Sequence, residues 1–362
     1  MRLFGRKDAD EGAGRQGEAI AGFWTWWQET RPRLDSLVAS GETGDLEELL
    51  APAVSAIDPG LVWEVAPGKE ALHALVVTAA GDAELRSLAH RWVKGAPPAD
   101  LLWEFHPSRQ ANPRAGELSL DVGGLTFGLD KLTLGLRVPR DQARVDVAAY
   151  HPIFGELDED IRLESALLAL DWLLGEDEVA RWVGEITAVT FEPIDAVAAV
   201  HLPAVVADVA GGAGGAGGAG GAGGAGEDEW VLMEGQTGGG AALVATARYP
   251  LRPVDHPLCD QHIAITLPYA HRDDNGLPAG DSVTALRDFE ERLAARLAKR
   301  PDEAVIAVHL SAEGHRVVHV YADPTGDAVT HAEELAAGWD EGKPRVDVAH
   351  DPAWTAIAPF LT

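Results

Sequence analysis

Residues Gly211–Gly226 repeat Gly-Gly-Ala without interruption. Such a run offers no side chain that could enter a core, and glycine loses the most backbone entropy on ordering. The tract therefore reads as a flexible tether that cuts the chain into two bodies. The cut predicts a disordered tail over 1–19, a first domain over 20–209, a linker over 210–229 and a second domain over 230–362. Each body is long enough to bury its own core. A flexible run of this length spans about 20–24 Å.

Charge narrows the function classes. The net charge is −29 over 362 residues, and acidic residues outnumber basic ones on both sides of the tract. Such a chain repels phosphate backbones and anionic lipid, so neither nucleic acid nor a membrane is an expected partner. A basic protein partner would be attracted. Cys259 is the single cysteine, so no intramolecular disulfide can form, which points to a reducing cytoplasm. The charged start Met1–Asp8 leads into no apolar stretch, and no run is apolar enough to span a bilayer.

The hydrophobic pattern predicts an α+β protein. A helix from about Gly22 carries Phe23, Trp26, Trp27, Leu34 and Val38 on one stripe, with Pro32 as a kink or break. Short strands alternate with helices from there to Phe191. In the second body, Leu286, Phe289, Leu293 and Leu297 mark an amphipathic helix between strands at Gln261–Tyr269 and Ala304–Leu310. The order predicts mostly antiparallel sheets with helices on one face, in a ferredoxin-like arrangement. A weak internal echo joins Gly81-Asp82-Ala83, Trp92 and Pro97 to Gly326-Asp327-Ala328, Trp339 and Pro344. Two copies of one fold would explain it.

From Trp230 onward the chain resembles the bacterial family known as domain of unknown function 695. The resemblance rests on Asn275-Gly276-Leu277-Pro278, Phe289-Glu290, Val318-His319-Val320-Tyr321 after a Gly314 hairpin, and Asp351-Pro352-Ala353-Trp354. It implies no reaction and no catalytic residues. The first body resembles no family.

Three groups of residues are candidates for chemistry. Glu104 and His106 share one face of a strand by alternation and could form an acid–base pair. His256, Cys259 and His262 place imidazole, thiol and imidazole within seven residues, all zinc ligands in kind but not in standard spacing. Alternation turns His262 away from Ile263 and Ile265, toward the expected solvent side. As binding candidates, Trp24 lies in an aromatic cluster and Asn275-Gly276 could form a ligand loop. Each has a structural counter-reading: a solvated strand face, a polar loop, a core helix and a tight turn. No phosphate-cradling loop and no nucleophile elbow occurs, and no cofactor is implied. The sequence favours a binding protein with an acidic surface, such as an immunity or adaptor protein. The alternative is a hydrolytic or metal-assisted enzyme.

Overall fold

A computed structural model describes residues 4–41, 43–139, 143–215 and 229–361. The expected linker therefore falls largely outside the described residues. Numbered in chain order, the helices are α1 (Phe4–Ser40), α2 (Thr43–Ser55), α3 (Arg86–Lys94), α4 (Glu159–Leu174), α5 (Glu176–Trp182), α6 (Leu202–Gly215), α7 (Asp281–Leu297) and α8 (Ala328–Ala336). The first strands are β1 (Val62–Pro67), β2 (His73–Thr78), β3 (Trp103–His106), β4 (Ser119–Val122), β5 (Leu125–Gly128), β6 (Thr133–Arg137), β7 (Val145–Tyr150), β8 (Val183–Val189) and β9 (Val197–Ala198). The remaining strands are β10 (Glu229–Gln236), β11 (Ala242–Tyr249), β12 (Gln261–Pro268), β13 (Ala304–Ala312), β14 (His315–Ala322) and β15 (Arg345–His350). The chain is α+β.

Two compact units emerge, and both are discontinuous in sequence. Unit 1 holds 1–61, 82–97 and 227–362, and unit 2 holds 62–81 and 98–226. The sequence reading instead draws one boundary, at the tract. The grouping of unit 1 has identifiable causes. Trp24 on α1 stacks on Trp92 of α3 with centroids 4.8 Å apart, and its indole N–H donates to the Trp92 carbonyl at 2.9 Å. Arg91 of α3 grips Asp260 with both terminal nitrogens, one at 2.8 Å, and also donates to the Leu258 carbonyl. α1 reaches β15. Two expectations at the N-terminus are corrected. The helix spans Phe4–Ser40 rather than beginning near Gly22, so residues 4–19 are helical, and Pro32 sits inside it without ending it.

The sheet of unit 1 has the order β10-β11-β13-β14-β12-β15, all neighbours antiparallel. Within it, β12-α7-β13-β14-α8-β15 forms two β-α-β halves with the ferredoxin-like strand order. β10 and β11 extend that sheet. α7 and α8 bury Leu286, Phe289, Leu293, Ala332 and Leu335 against Ile263, Ile265, Val318 and Val320 on one face. The opposite face has its own core: Ala245, Ala247, Cys259, Val308, Tyr321, Trp354 and Ile357. A bulge in β13 between Ile306 and Val308 switches the later residues of that strand to the other face. Both faces are thus covered, with Ile263, Ile265, Val318 and Val320 buried on one and Tyr321 on the other.

Unit 2 is built differently. It contains the sheet β1-β2-β3, the hairpin β4-β5 and the sheet β8-β7-β6-β9. Two of its pairs, β2 with β3 and β7 with β8, are parallel. Its core gathers Phe127, Leu134, Val147, Phe154, Ala169, Leu170 and Leu202. The ferredoxin-like order expected of both bodies is therefore found in the C-terminal sheet, and the first body uses smaller sheets. The two echoing segments differ accordingly. β2 and β3 are direct parallel neighbours, whereas β12 lies between β14 and β15.

Candidate functional site

The most concentrated polar chemistry of unit 1 sits on the sheet face opposite α7 and α8. His262 of β12 pairs in register with Tyr321 of β14, and alternation puts His319 on the same face. His262 Nε2 and His319 Nδ1 are 2.9 Å apart, so one ring donates and the other accepts. The rings stack at 5.2 Å. Beside them, the Tyr321 hydroxyl donates to Asp351 Oδ2 at 2.6 Å. The Trp354 indole lies flat on the Tyr321 ring at 4.0 Å and donates to the Cys259 carbonyl at 2.8 Å.

The electrostatics keep the phenol and the thiol protonated and the two imidazoles neutral. Burial pushes His319 down to about 4, helped by the neighbouring imidazoles of His262 and His309. Burial lowers His262 as well, against an opposing pull from Asp351. Burial and the Asp351 carboxylate raise the Tyr321 phenol. Burial, with Asp323 and Asp260, pushes the Cys259 thiol up to about 12. Burial would raise Asp351, but donors from Tyr321, Thr355 and Ala356 outweigh it and lower its pKa. The carboxylate is an internal clamp between the end of β14 and the closing turn at Thr355–Phe360.

The residues singled out in the sequence are distributed as follows. His262 is buried, 8 % exposed. The alternation is right, but the face it turns to is covered, which corrects the expectation of solvent. Cys259 is buried at the Trp354 side, and His256 stacks on Trp354 at 6.1 Å. The three come near one aromatic floor, yet among the described residues no group of three His, Cys, Asp or Glu side chains could hold a metal ion. Glu104 and His106 do meet, with His106 Nε2 2.9 Å from Glu104 Oε1. The same carboxylate accepts from the amides of Lys69, Glu70 and Ala71 at 2.8, 2.8 and 2.9 Å. Burial works against it, but His106 and those amides hold it at about 2. That carboxylate fastens the turn between β1 and β2 and has no proton to give near neutral pH.

Trp24 is buried between α1 and α3. Asn275-Gly276 is a turn. Asp273 Oδ1 accepts from the amides of Asn275 and Leu277, Gly276 takes φ +78°, and its carbonyl accepts the Tyr269 hydroxyl at 2.8 Å. The Gly314 amide donates to that same carbonyl at 3.1 Å. Gly314 takes φ +81°, a backbone conformation in which any side chain is strained.

Two polar networks carry no simple signal in the sequence. Glu290 of α7 meets His309 Nδ1 at 3.0 Å and Arg316 at 3.2 Å, fastening the helix to β13 and β14. Among the described residues, the buried His309 Nε2 and Ser311 Oγ find no hydrogen-bond partner. In unit 2, Arg109 meets Glu64 at 2.9 Å and Asp171 at 3.1 Å, and Glu176 accepts from Thr78, Gly81 and Arg109. Burial and the neighbouring Glu176 push Asp171 up to about 7, against the pull of Arg109. These residues come from β1, β2, α4, α5 and the segment after β3, so no local spacing announces them.

Among the described residues, no helix is long and apolar enough to cross a membrane. No curated protein and no solved structure matches the chain. No family model matches the N-terminal part. Residues 228–362 match the model of a family of unknown function (DUF695), and the C-terminal motifs that carry this resemblance are the ones that lock Tyr321 to Asp351, the Gly276 turn to Gly314, and Glu290 to the sheet.

Proposed function

We propose that this chain is a binding protein that engages a basic protein partner through an acidic surface, in the manner of an immunity or adaptor protein. The observation that carries the reading is the chemistry at Tyr321. The phenol and the Cys259 thiol are raised and stay protonated near neutral pH, so neither supplies an anionic nucleophile, and His262 and His319 are engaged with one another. A net charge of −29 supplies attraction for a basic partner. The test is affinity capture on the immobilised full chain at low salt. A stoichiometric basic partner that dissociates as salt rises supports the reading. Recovery of no stoichiometric partner counts against it.

One observation favours a hydrolytic or metal-assisted enzyme instead. Asp171 lies at about 7 beside the Arg109 guanidinium, and perturbed carboxyls of this kind gather at catalytic centres. Elemental analysis of the purified chain, together with hydrolase screening of Asp171→Asn against wild type, separates the two readings.

A further inference from the structure

One end of the C-terminal sheet is basic on a chain that is otherwise strongly acidic. β14, β12 and β15 are adjacent in that order. Thr266 of β12 stands opposite Arg345 of β15 on one side and Val317 of β14 on the other. His315 lies two residues before Val317, so alternation projects Thr266, His315 and Arg345 from the same face. With Lys343 and Pro344 they line an open cleft of about 620 Å³.

The local charge balance is unusual. Two cationic side chains, Lys343 and Arg345, line the cleft with the His315 imidazole, and Arg345 Nε meets Asp347 at 2.6 Å in an exposed pair. Glu341, close in sequence, is committed elsewhere, accepting from the Ser282 hydroxyl and from the Ala270 amide at 3.0 Å. Among the described residues Lys343 has no carboxylate partner. Asp347 offsets one of the two cations, and an anion in the cleft would offset the other. Guanidinium and ammonium groups are the usual donors to phosphate and carboxylate oxygens, and the Thr266 hydroxyl can add a neutral donor.

We propose that this cleft binds the oxyanion of a small ligand, phosphate or carboxylate, with Lys343 and Arg345 as the charged donors and Thr266 and His315 completing the wall. Asp347 competes with the ligand for Arg345. The site is independent of the acidic surface invoked above, because it draws the opposite charge.

Calorimetric titration of the full chain at low ionic strength, with inorganic phosphate in one arm and acetate in the other, tests the proposal. The expected result is saturable binding in at least one arm, and the arm that saturates identifies the group. The doubly substituted variant K343Q/R345Q weakens that binding by about tenfold or more, the loss that follows from removing charge-assisted contacts. Asp347→Asn tightens it, which a purely structural role for Arg345 would not produce. Both changes lie at exposed positions, and the thermal midpoint reports that the fold is kept. Absence of saturable binding in both arms overturns the proposal, as does equal affinity in wild type and K343Q/R345Q.

Discussion

At the scale of single residues, two buried groups titrate in opposite senses over the same pH range. Asp171 has its carboxyl raised from 3.8 to about 7. Between those values the folded chain holds a proton that the unfolded chain has released, so stability contributed by this group falls as pH rises. Asp171→Asn should therefore remove a slope of about 1.4 kcal/mol per pH unit from the unfolding free energy over that window, read from denaturant titrations at several pH values. His319 is lowered from 6.5 to about 4. There the unfolded chain binds the extra proton, so stability falls as pH drops from 6.5 toward 4, and His319→Gln should flatten that acid limb. Tyr321→Phe removes the donor to the buried Asp351 carboxylate. It should cost about 1.5–3 kcal/mol near neutral pH, the usual worth of a hydrogen bond to a charged group. A loss below the error of the denaturation curve would show that the other donors to Asp351 suffice.

At the scale of elements, α3 depends on one side chain more than on its own sequence. It is a short helix whose Trp92 is buried against α1 and whose Arg91 holds Asp260. Arg91→Ala leaves the Asp260 carboxylate buried without its charge partner, which should cost about 3 kcal/mol. Amide exchange over Arg86–Lys94 should accelerate in that variant more than exchange in α7. Most elements are legible from their local pattern. The stripe Leu286, Phe289, Leu293 and Leu297 marks α7 because its 3.6 period is clean, and Gly123-Gly124 marks the β4-β5 hairpin because both glycines take positive φ. What the pattern misses is what depends on partners distant in sequence. β10 is a separate case: Glu229–Gln236 goes unread beside the glycine tract although it pairs with its sequence neighbour β11. His262 reads as solvent-facing because period-two alternation identifies which face a residue takes, not what covers that face. The candidate centre is half legible for the same reason. His262 stands out beside Cys259, but His319, Tyr321 and Asp351 join it only through the register of β14 on β12 and the turn after β15.

At the scale of the molecule, the tract suggests a simple cut, whereas the compact units are interleaved along the chain. This distinction is measurable. A fragment covering 228–362 retains the ferredoxin-like core with α7 and α8, but it lacks Arg91, the partner of Asp260, and α1, which reaches β15. It should unfold at a lower temperature than the C-terminal part does within the full chain. Adding residues 1–61 and 82–97 back through a short bridge should recover much of the difference. Equal midpoints for fragment and full chain would show that α1 and α3 contribute nothing to this sheet.

The interleaving also sets an order of events during synthesis. Domains generally fold from the N-terminus as they leave the ribosome. Here α1 and α3, with Phe23, Trp24, Trp27 and Trp92, emerge long before the strands that complete their unit, since Asp260 and β15 lie in the last third of the chain. Until translation is nearly finished, Arg91 has no Asp260 to pair with and α1 has no β15 to pack on. Chains truncated before Asp260 should therefore be cut within α1 and α3 faster than the full chain is, which limited proteolysis reads.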